Sequence, residues 1–249
     1  MSKSVEATLL ERRCIRKYKP QPIPKADLEF IRAAVRNTPT SYNAQQFSVI
    51  EVTEQSLKDK LAELIGQKQL KYAGIDFMFL SDSNKMFVAA KAKGQTMPEF
   101  QNTADGLIVG TIDASLAMMS AIVAAVSRGL GTCPIGFART VAPEQITRLL
   151  ELPKGVYLAC ALAVGVPDDL PDLKPKLPDD LMFFKNSYGV DNMAEKLLKY
   201  DSTIREYHKS RSGNQSDEDW VGQMLGYYRE AMQTEFLAFL RSQGYGMTK

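Results

Sequence analysis

The sequence predicts an α+β layered domain, on three observations. Helical and strand patterns alternate irregularly, with no repeated βαβ unit, which disfavours a doubly wound parallel sheet. Ile75–Leu80 (IDFMFL) and Tyr157–Val164 are apolar runs of strand length and read as buried strands. Asp105–Gly129 contains DASLAMMSAIVAAVS, a helical stretch apolar nearly all round, which asks for protein on every side.

Taken in order, residues 2–12 read as a short helix with Val5, Leu9 and Leu10 on one side. A second helix opens at Ile23-Pro24-Lys25-Ala26-Asp27, since proline is tolerated in a first turn where its missing N–H has no helical partner. Leu28, Ile31, Ala34 and Val35 give it one apolar face, and it ends near Asn37 because Thr38 precedes Pro39. Phe47–Val52 is a strand; Glu54–Gly66 is a helix with Leu57, Leu61, Leu64 and Ile65 on one stripe. After the long apolar helix, Gly129-Leu130-Gly131 is a stop, Thr132–Ile135 a short strand and Pro143–Leu150 a helix. Residues 166–190 are rich in Pro, Asp and Lys and read as an extended arm. Residues 192–209 and 218–243 read as helices joined by the polar loop Ser210–Asp217.

The bulk numbers exclude several classes. The 249 residues carry 31 Lys and Arg against 29 Asp and Glu, a net charge of +2, too balanced for a dedicated nucleic-acid binder. Cys14, Cys133 and Cys160 form no C-x-x-C pair, and the single histidine, His208, has no metal partner nearby in sequence. Neither a disulfide framework nor a metal site is expected. The N-terminal stretch has no apolar signal core. The run Ala114–Ser127 is shorter than the ~18–20 residues of a membrane span. A reducing, cytoplasmic setting is expected, with no membrane partner.

Among nucleotide and hydrolase signatures, G-x-x-x-x-G-K, G-x-G-x-x-G and G-x-S-x-G are all absent, and one histidine makes a Ser-His-Asp triad hard to build. Two stretches stand out instead. ERRCIRKYK concentrates Arg12, Arg13, Arg16, Lys17 and Lys19. A helical continuation would set Arg12 beside Arg16 and Arg13 beside Lys17, an unfavourable spacing unless an anion accepts them. The alternatives are a solvated surface and an anion seat, to which arginine's forked donors are suited. PTSYNAQQF, residues 39–47, packs uncharged donors and acceptors between a helix end and a strand start. It reads as a capped turn or as a polar edge for a flat heterocycle.

Together these stretches resemble the nitroreductase family. RRCIRKYKPQPIP followed by PTSYNAQ is similar to the family's opening, and DGLIVGTIDASLAMMSAIVAAVSRGLGTCPIG to its central helix and the loop after it. VGVPDDLPDLKPKLP, YDSTIREYHKSRSGNQSDEDW and the ending FLRSQGYG look like the larger, NADPH-preferring branch of oxygen-insensitive nitroreductases and flavin reductases. The resemblance implies a nitroreductase-like α/β layered fold, with a central, mostly antiparallel sheet flanked by helices. Residues 1–249 would form one FMN-binding domain. Residues 166–249 would be an arm and helical extension reaching the partner subunit and the dinucleotide site. It also implies a homodimer with active sites at the subunit interface.

By motif match, the resemblance gives Arg12, Arg13, Cys14 and Arg16 to the FMN phosphate and ribityl region, or Arg16 to the flavin's pyrimidine edge. Cys14 stands where the family usually has serine, which leaves a backbone contact. Thr40, Ser41 and Asn43 match a flavin-contacting stretch, and Gln67 a position at the ring edge, with Lys68 and Gln69 as alternatives. Pro134, Ile135, Gly136 and Phe137 match the segment over one ring face; Phe137 stands for a second glycine and would narrow access. Lys174 and Lys176 match two cations that complete these contacts. Arg211 matches a residue for the 2′-phosphate of NADPH; Asn214, Gln215 and Ser216 stand where a further arginine is expected, which leaves NADH use open. Lys209, Arg205 and Arg139 are further dinucleotide candidates, and His208 is read as a surface residue. The implied reaction is ping-pong hydride transfer through flavin N5 to nitroaromatics, quinones or free flavins, with no dedicated catalytic side chain. Flavin reduction as the main role, or a non-catalytic flavin sensor or carrier, are the alternatives.

Overall fold

The structure, a computed structural model, describes residues 3–189, 191–246 and 248. Its elements are α1 (Val5–Leu10), α2 (Lys25–Arg36), β1 (Phe47–Val52), α3 (Gln55–Ile65), α4 (Gln69–Tyr72), β2 (Ile75–Asp82), α5 (Asn84–Ala92), α6 (Ala104–Ser127), β3 (Gly131–Ile135), α7 (Ala138–Val141), α8 (Pro143–Leu149), β4 (Val156–Gly165), α9 (Met193–Ser210), α10 (Trp220–Met232) and α11 (Phe236–Ser242). The described residues divide into two units. One takes the chain through Leu170 and again from Thr234; the other is Pro171–Gln233.

In the first unit the two strongest apolar runs become the central strands. Among the described residues the strands form one antiparallel sheet in the order β1-β2-β4-β3. Both β2 and β4 are buried along their whole length, as strands covered on both faces must be. Phe77, Phe79, Leu162 and Val164 point into one cluster with Ile31 of α2 and an alanine stripe of α6, Ala114, Ala117, Ala121 and Ala125. Met78, Leu80, Ala161 and Ala163 point into another with Leu61 and Ile65 of α3 and Ile146 of α8. Burying each phenylalanine contributes about 1.5–3 kcal/mol. The small alanines let α6 lie close to the sheet. This is an α+β fold.

The 24 residues of α6 make it long and apolar enough to cross a membrane by length and composition. Its buried stripe instead forms the core. The opposite stripe departs from the sequence expectation of protein on every side: Ile108, Ile112, Leu116 and Met119 remain 38–51% exposed. Likewise α1 exposes Val5, Leu9 and Leu10 and buries Thr8. Among the described residues no further layer covers these faces.

The expected helix over 218–243 is two helices. The chain leaves helical geometry between Met232 and Phe236, and α11 joins the first unit, where Phe239, Leu240 and Tyr245 enter the core. Tyr245 donates to Gly155 O at 2.9 Å and meets the Tyr157 ring edge-on at 5.2 Å. In the second unit α9 and α10 are joined by Tyr200 against Trp220 and by Asp201, which accepts the Val221 N–H at 2.7 Å. Helix α5 carries no apolar stripe to announce it, since Met86, Phe87 and Val88 are consecutive and exposed. Its start is held by Asp82 Oδ1, which accepts from the Asn84 and Lys85 N–H groups at 3.0 and 3.3 Å.

Candidate functional site

The arginine-rich run is extended, not helical. Ile15 N–H donates to Thr132 O at 2.9 Å, Cys14 pairs in parallel with Thr132, and Tyr18 pairs with Pro167. The run therefore adds to the β3 edge of the sheet. Ile15 and Tyr18 anchor it by burial, and the Tyr18 hydroxyl donates to Ile15 O at 2.7 Å. The two glycines of the GLGT stretch have different tasks. Gly129, at φ 80°, ends α6 in the left-handed region. Gly131 permits close approach, since a Cβ there would lie 2.9 Å from three Ile15 carbons.

In extended chain, alternate residues share a side. Arg12 and Arg16 accordingly both act on the Cys14 thiol, and the side-by-side pairs of a helix do not arise. Arg13 is half-buried, and its Nε is buried with no hydrogen-bond partner. The Cys14 thiol is lowered to about 5, chiefly by a hydrogen bond from Cys133 and then by the charges of Arg16 and Arg12, against the opposing effect of burial. Cys133 is shifted upward by the same hydrogen bond and by burial. Beyond Cys133 the chain of contacts continues. Gln69 Nε2 lies 3.7 Å from Cys133 Sγ and donates to Gln67 Oε1 at 2.7 Å. Gln67 is half-buried, Gln69 is buried in this network, and Lys68 is exposed.

The polar stretch is held by a residue that sequence reasoning passed over. Asp113 of α6 is 1% exposed, and its two oxygens accept the N–H groups of Ser41 and Gln46 at 3.2 and 3.1 Å. Thr40 Oγ1 accepts the Gln45 N–H at 3.2 Å. Between these ties Tyr42, Asn43 and Gln45 stand at φ 52°, 53° and 50°. Such left-handed residues persist where surroundings over-determine them, and they gather at functional sites. Ser41, Tyr42 and Asn43 face solvent, which leaves the side chains of Ser41 and Asn43 available to a ligand.

At the other end of β3, Pro134, Gly136 and Phe137 are half-exposed, while Ile135 is buried in the core and offers only its backbone. Arg139 is turned back on this segment, donating to Gly136 O at 2.9 Å. A groove of 730 Å³ lined by Lys60, Glu63, Leu64, Gln145, Arg148 and Leu149 contains none of these residues.

Lys174, Lys176, Lys209 and Arg211 belong to the second unit. Lys174 and Lys176 are exposed on the arm. Arg211 packs over the Tyr207 ring and donates to Asn214 O. Lys209 reaches Glu206 and Asp217, and Arg205 makes a two-pronged pair with Asp217 at 2.9 and 2.6 Å. These two cations are thus partly neutralised within their own unit. His208 is not a surface residue. It is fully buried, its Nδ1 2.7 Å from Glu218 O, because the loop after α9 folds back over it and Ser216 N–H donates to its carbonyl.

Comparison with known proteins identifies the family. Residues 9–166 match the nitroreductase family, and residues 174–248 match its C-terminal domain. The chain belongs to the nitroreductase family. It is 32% identical to the FMN reductase [NAD(P)H] of Bacillus subtilis over 97% of this chain and 98% of that one. It is 34% identical to the oxygen-insensitive NADPH nitroreductase of Salmonella typhimurium over 98% and 99%. The structure of B. megaterium NfrA2 superposes with a TM-score of 0.93 at 30% identity, covering 98% and 99%. Within this nitroreductase-family chain, Asp113, Cys133 and Gln69 are the residues whose positioning role local spacing did not reveal. Asp113 carried one faint signal, an acid inside an otherwise apolar helix stretch.

Proposed function

We propose that this chain is an FMN-dependent NAD(P)H oxidoreductase that reduces nitroaromatics, quinones or free flavins, working as a homodimer in the cytoplasm. Membership of the nitroreductase family makes it an oxidoreductase; the names of its relatives support the flavin and nicotinamide cofactors. The observation that carries the cofactor reading is the pinned segment Arg12–Arg16, with three guanidinium groups and a buried, unpartnered Arg13 Nε. That donor set fits a phosphate, which accepts forked arginine contacts through several oxygens.

FMN, when bound, supplies two-electron hydride exchange at N5, alternately with NAD(P)H and an acceptor. The protein's part is placement and charge. Arg12, Arg13 and Arg16 would hold the phosphate end. Ser41 and Asn43, presented by the Asp113-tethered loop, and Gln67, oriented by Gln69, would hydrogen-bond the heterocycle's edges. Pro134–Phe137 would border the ring, with Phe137 narrowing the approach of bulky acceptors. Arg211, with a smaller contribution from the partly neutralised Lys209, would supply positive charge for the dinucleotide's 2′-phosphate, which supports NADPH over NADH as donor. The uncovered apolar stripe of α6 supports the homodimer.

The test is direct. The purified protein should be yellow, should lose its visible absorbance on adding NADPH, and should turn over NADPH faster than NADH against a panel of nitroaromatic, quinone and flavin acceptors. A colourless protein that FMN cannot reconstitute would refute the reading.

A further inference from the structure

No step of the proposed hydride transfer uses His208, the chain's single histidine, yet it is fully buried. It stands in the last turn of α9, four residues after Ile204, and these two are the buried positions of that helix. Two bonds run from it to the loop that follows. Its carbonyl accepts the Ser216 N–H at 3.1 Å, and its Nδ1 lies 2.7 Å from Glu218 O. A carbonyl oxygen only accepts, so Nδ1 carries the proton and donates. Nε2 is buried and has no hydrogen-bond partner among the described residues. Arg211 opens the loop. Its N–H donates to Tyr207 O at 2.9 Å, its guanidinium lies over the Tyr207 ring, and its Nη2 donates to Asn214 O. Asn214, at φ 54°, turns the chain back toward His208. The place of its carbonyl therefore depends on where the loop closes. The remaining ties, from Ser212 N–H to Asp172 Oδ2 and from Asp217 to Arg205 and Lys209, lie at the exposed surface. Exposed ion pairs contribute little. A bond removed from water holds more firmly, because breaking it strands a desolvated carbonyl. His208 is thus the principal closure of the loop.

We propose that His208 is a positioning residue for donor selection: by closing the loop over residues 211–218 it holds Arg211 ready for the 2′-phosphate of NADPH. This rests on the reading of Arg211 as the 2′-phosphate residue. The reason is one of order. A guanidinium already docked on the Tyr207 ring and Asn214 O loses little rotamer freedom on meeting a phosphate. Asn214 O engages one of its donors, and others remain for phosphate oxygens. Without the His208 bond to Glu218 O the loop opens, Asn214 O leaves its place, and Arg211 must be ordered when the ligand binds. NADH carries a hydroxyl where NADPH carries the phosphate and is indifferent to that cost. The effect of His208 therefore falls on the choice between the two dinucleotides and not on hydride transfer itself.

The test titrates the purified holoprotein with adenosine 2′,5′-bisphosphate and with AMP by calorimetry, beside KM and kcat for NADPH and NADH. The parent is compared with His208→Phe, which keeps a ring and loses the donor, with His208→Asn, which keeps an N–H, and with Arg211→Ala. His208→Leu replaces the first variant should it fold poorly. His208→Phe should weaken the bisphosphate about three- to tenfold, the cost of ordering one long side chain. KM for NADPH should rise by a similar factor, while AMP binding and KM for NADH change by less than about twofold. His208→Asn should recover most of the loss. Equal weakening of both nucleotides would overturn the proposal, as would no weakening in His208→Phe where Arg211→Ala weakens the bisphosphate, or His208→Asn faring no better than His208→Phe. If Arg211→Ala itself leaves bisphosphate binding unchanged, the 2′-phosphate does not sit at Arg211 and the proposal falls with that placement, while the flavin reading stands.

Discussion

Arg13 is the side chain on which the proposed phosphate seat depends most, because its Nε is already desolvated and has no protein partner. A charge-assisted hydrogen bond is worth about 1.5–3 kcal/mol. Arg13→Ala should therefore weaken FMN binding at least about tenfold, as read by flavin fluorescence titration; a change under about twofold would count against the seat. Asp76 poses a different problem. It is fully buried on β2, both carboxyl oxygens lack a partner, and burial raises the group to about 8, against the lowering influence of Lys58. Lys58 is itself buried and donates to Ala73 O; the Tyr18 hydroxyl also feels Asp76. The unfolded carboxyl titrates near about 3.9, so the folded state holds a proton that the unfolded chain has released. This contribution to stability is complete below about pH 4 and is lost as pH rises through about 8. Asp76→Asn should flatten that decline when urea midpoints are compared at pH 5 and pH 8.5. Parallel slopes for the two proteins would show that Asp76 stays charged.

At the scale of elements, the loop between α2 and β1 depends on α6. Its left-handed residues Tyr42, Asn43 and Gln45 cost about 1–3 kcal/mol each when they are not glycine, and the Asp113 carboxylate offsets part of this through two backbone N–H groups. Asp113→Ala strands both donors. It should lower stability by roughly 2–5 kcal/mol in urea unfolding and should make residues 41–46 the first site of limited proteolysis. Asp113→Asn, which keeps one acceptor oxygen, should lose less. If both variants match the parent, the loop is held by other means. Helix ends and strand spans along this region were largely legible: β1 spans the residues read as a strand, Phe47–Val52, and α2 stops at Arg36 beside Asn37 as the Thr38-Pro39 pair required. The loop's conformation was not, because nothing in PTSYNAQ encodes an acid far along the chain.

For the molecule as a whole, one unfinished surface is the outer stripe of α6, Ile108, Ile112, Leu116 and Met119, in company with the exposed apolar side chains of α1. If that stripe is the homodimer seam, Ile112→Arg should shift the protein from dimer to monomer in sedimentation and reduce its flavin content. A parent protein that sediments as a monomer while fully active would reject the assignment. The sequence by itself determined the strands, the principal helices and the family, since apolar periodicity and motif order are local properties of the chain. It also singled out the arginine run, although not its conformation. Only the tertiary structure decided that the run is extended and bridged to Thr132 and Pro167, that Asp113 holds the polar loop, and that His208 is buried. Each of these rests on pairing between distant segments. Such pairing is chosen by burial of Ile15, Tyr18 and the β2–β4 core, and no spacing along the chain records it.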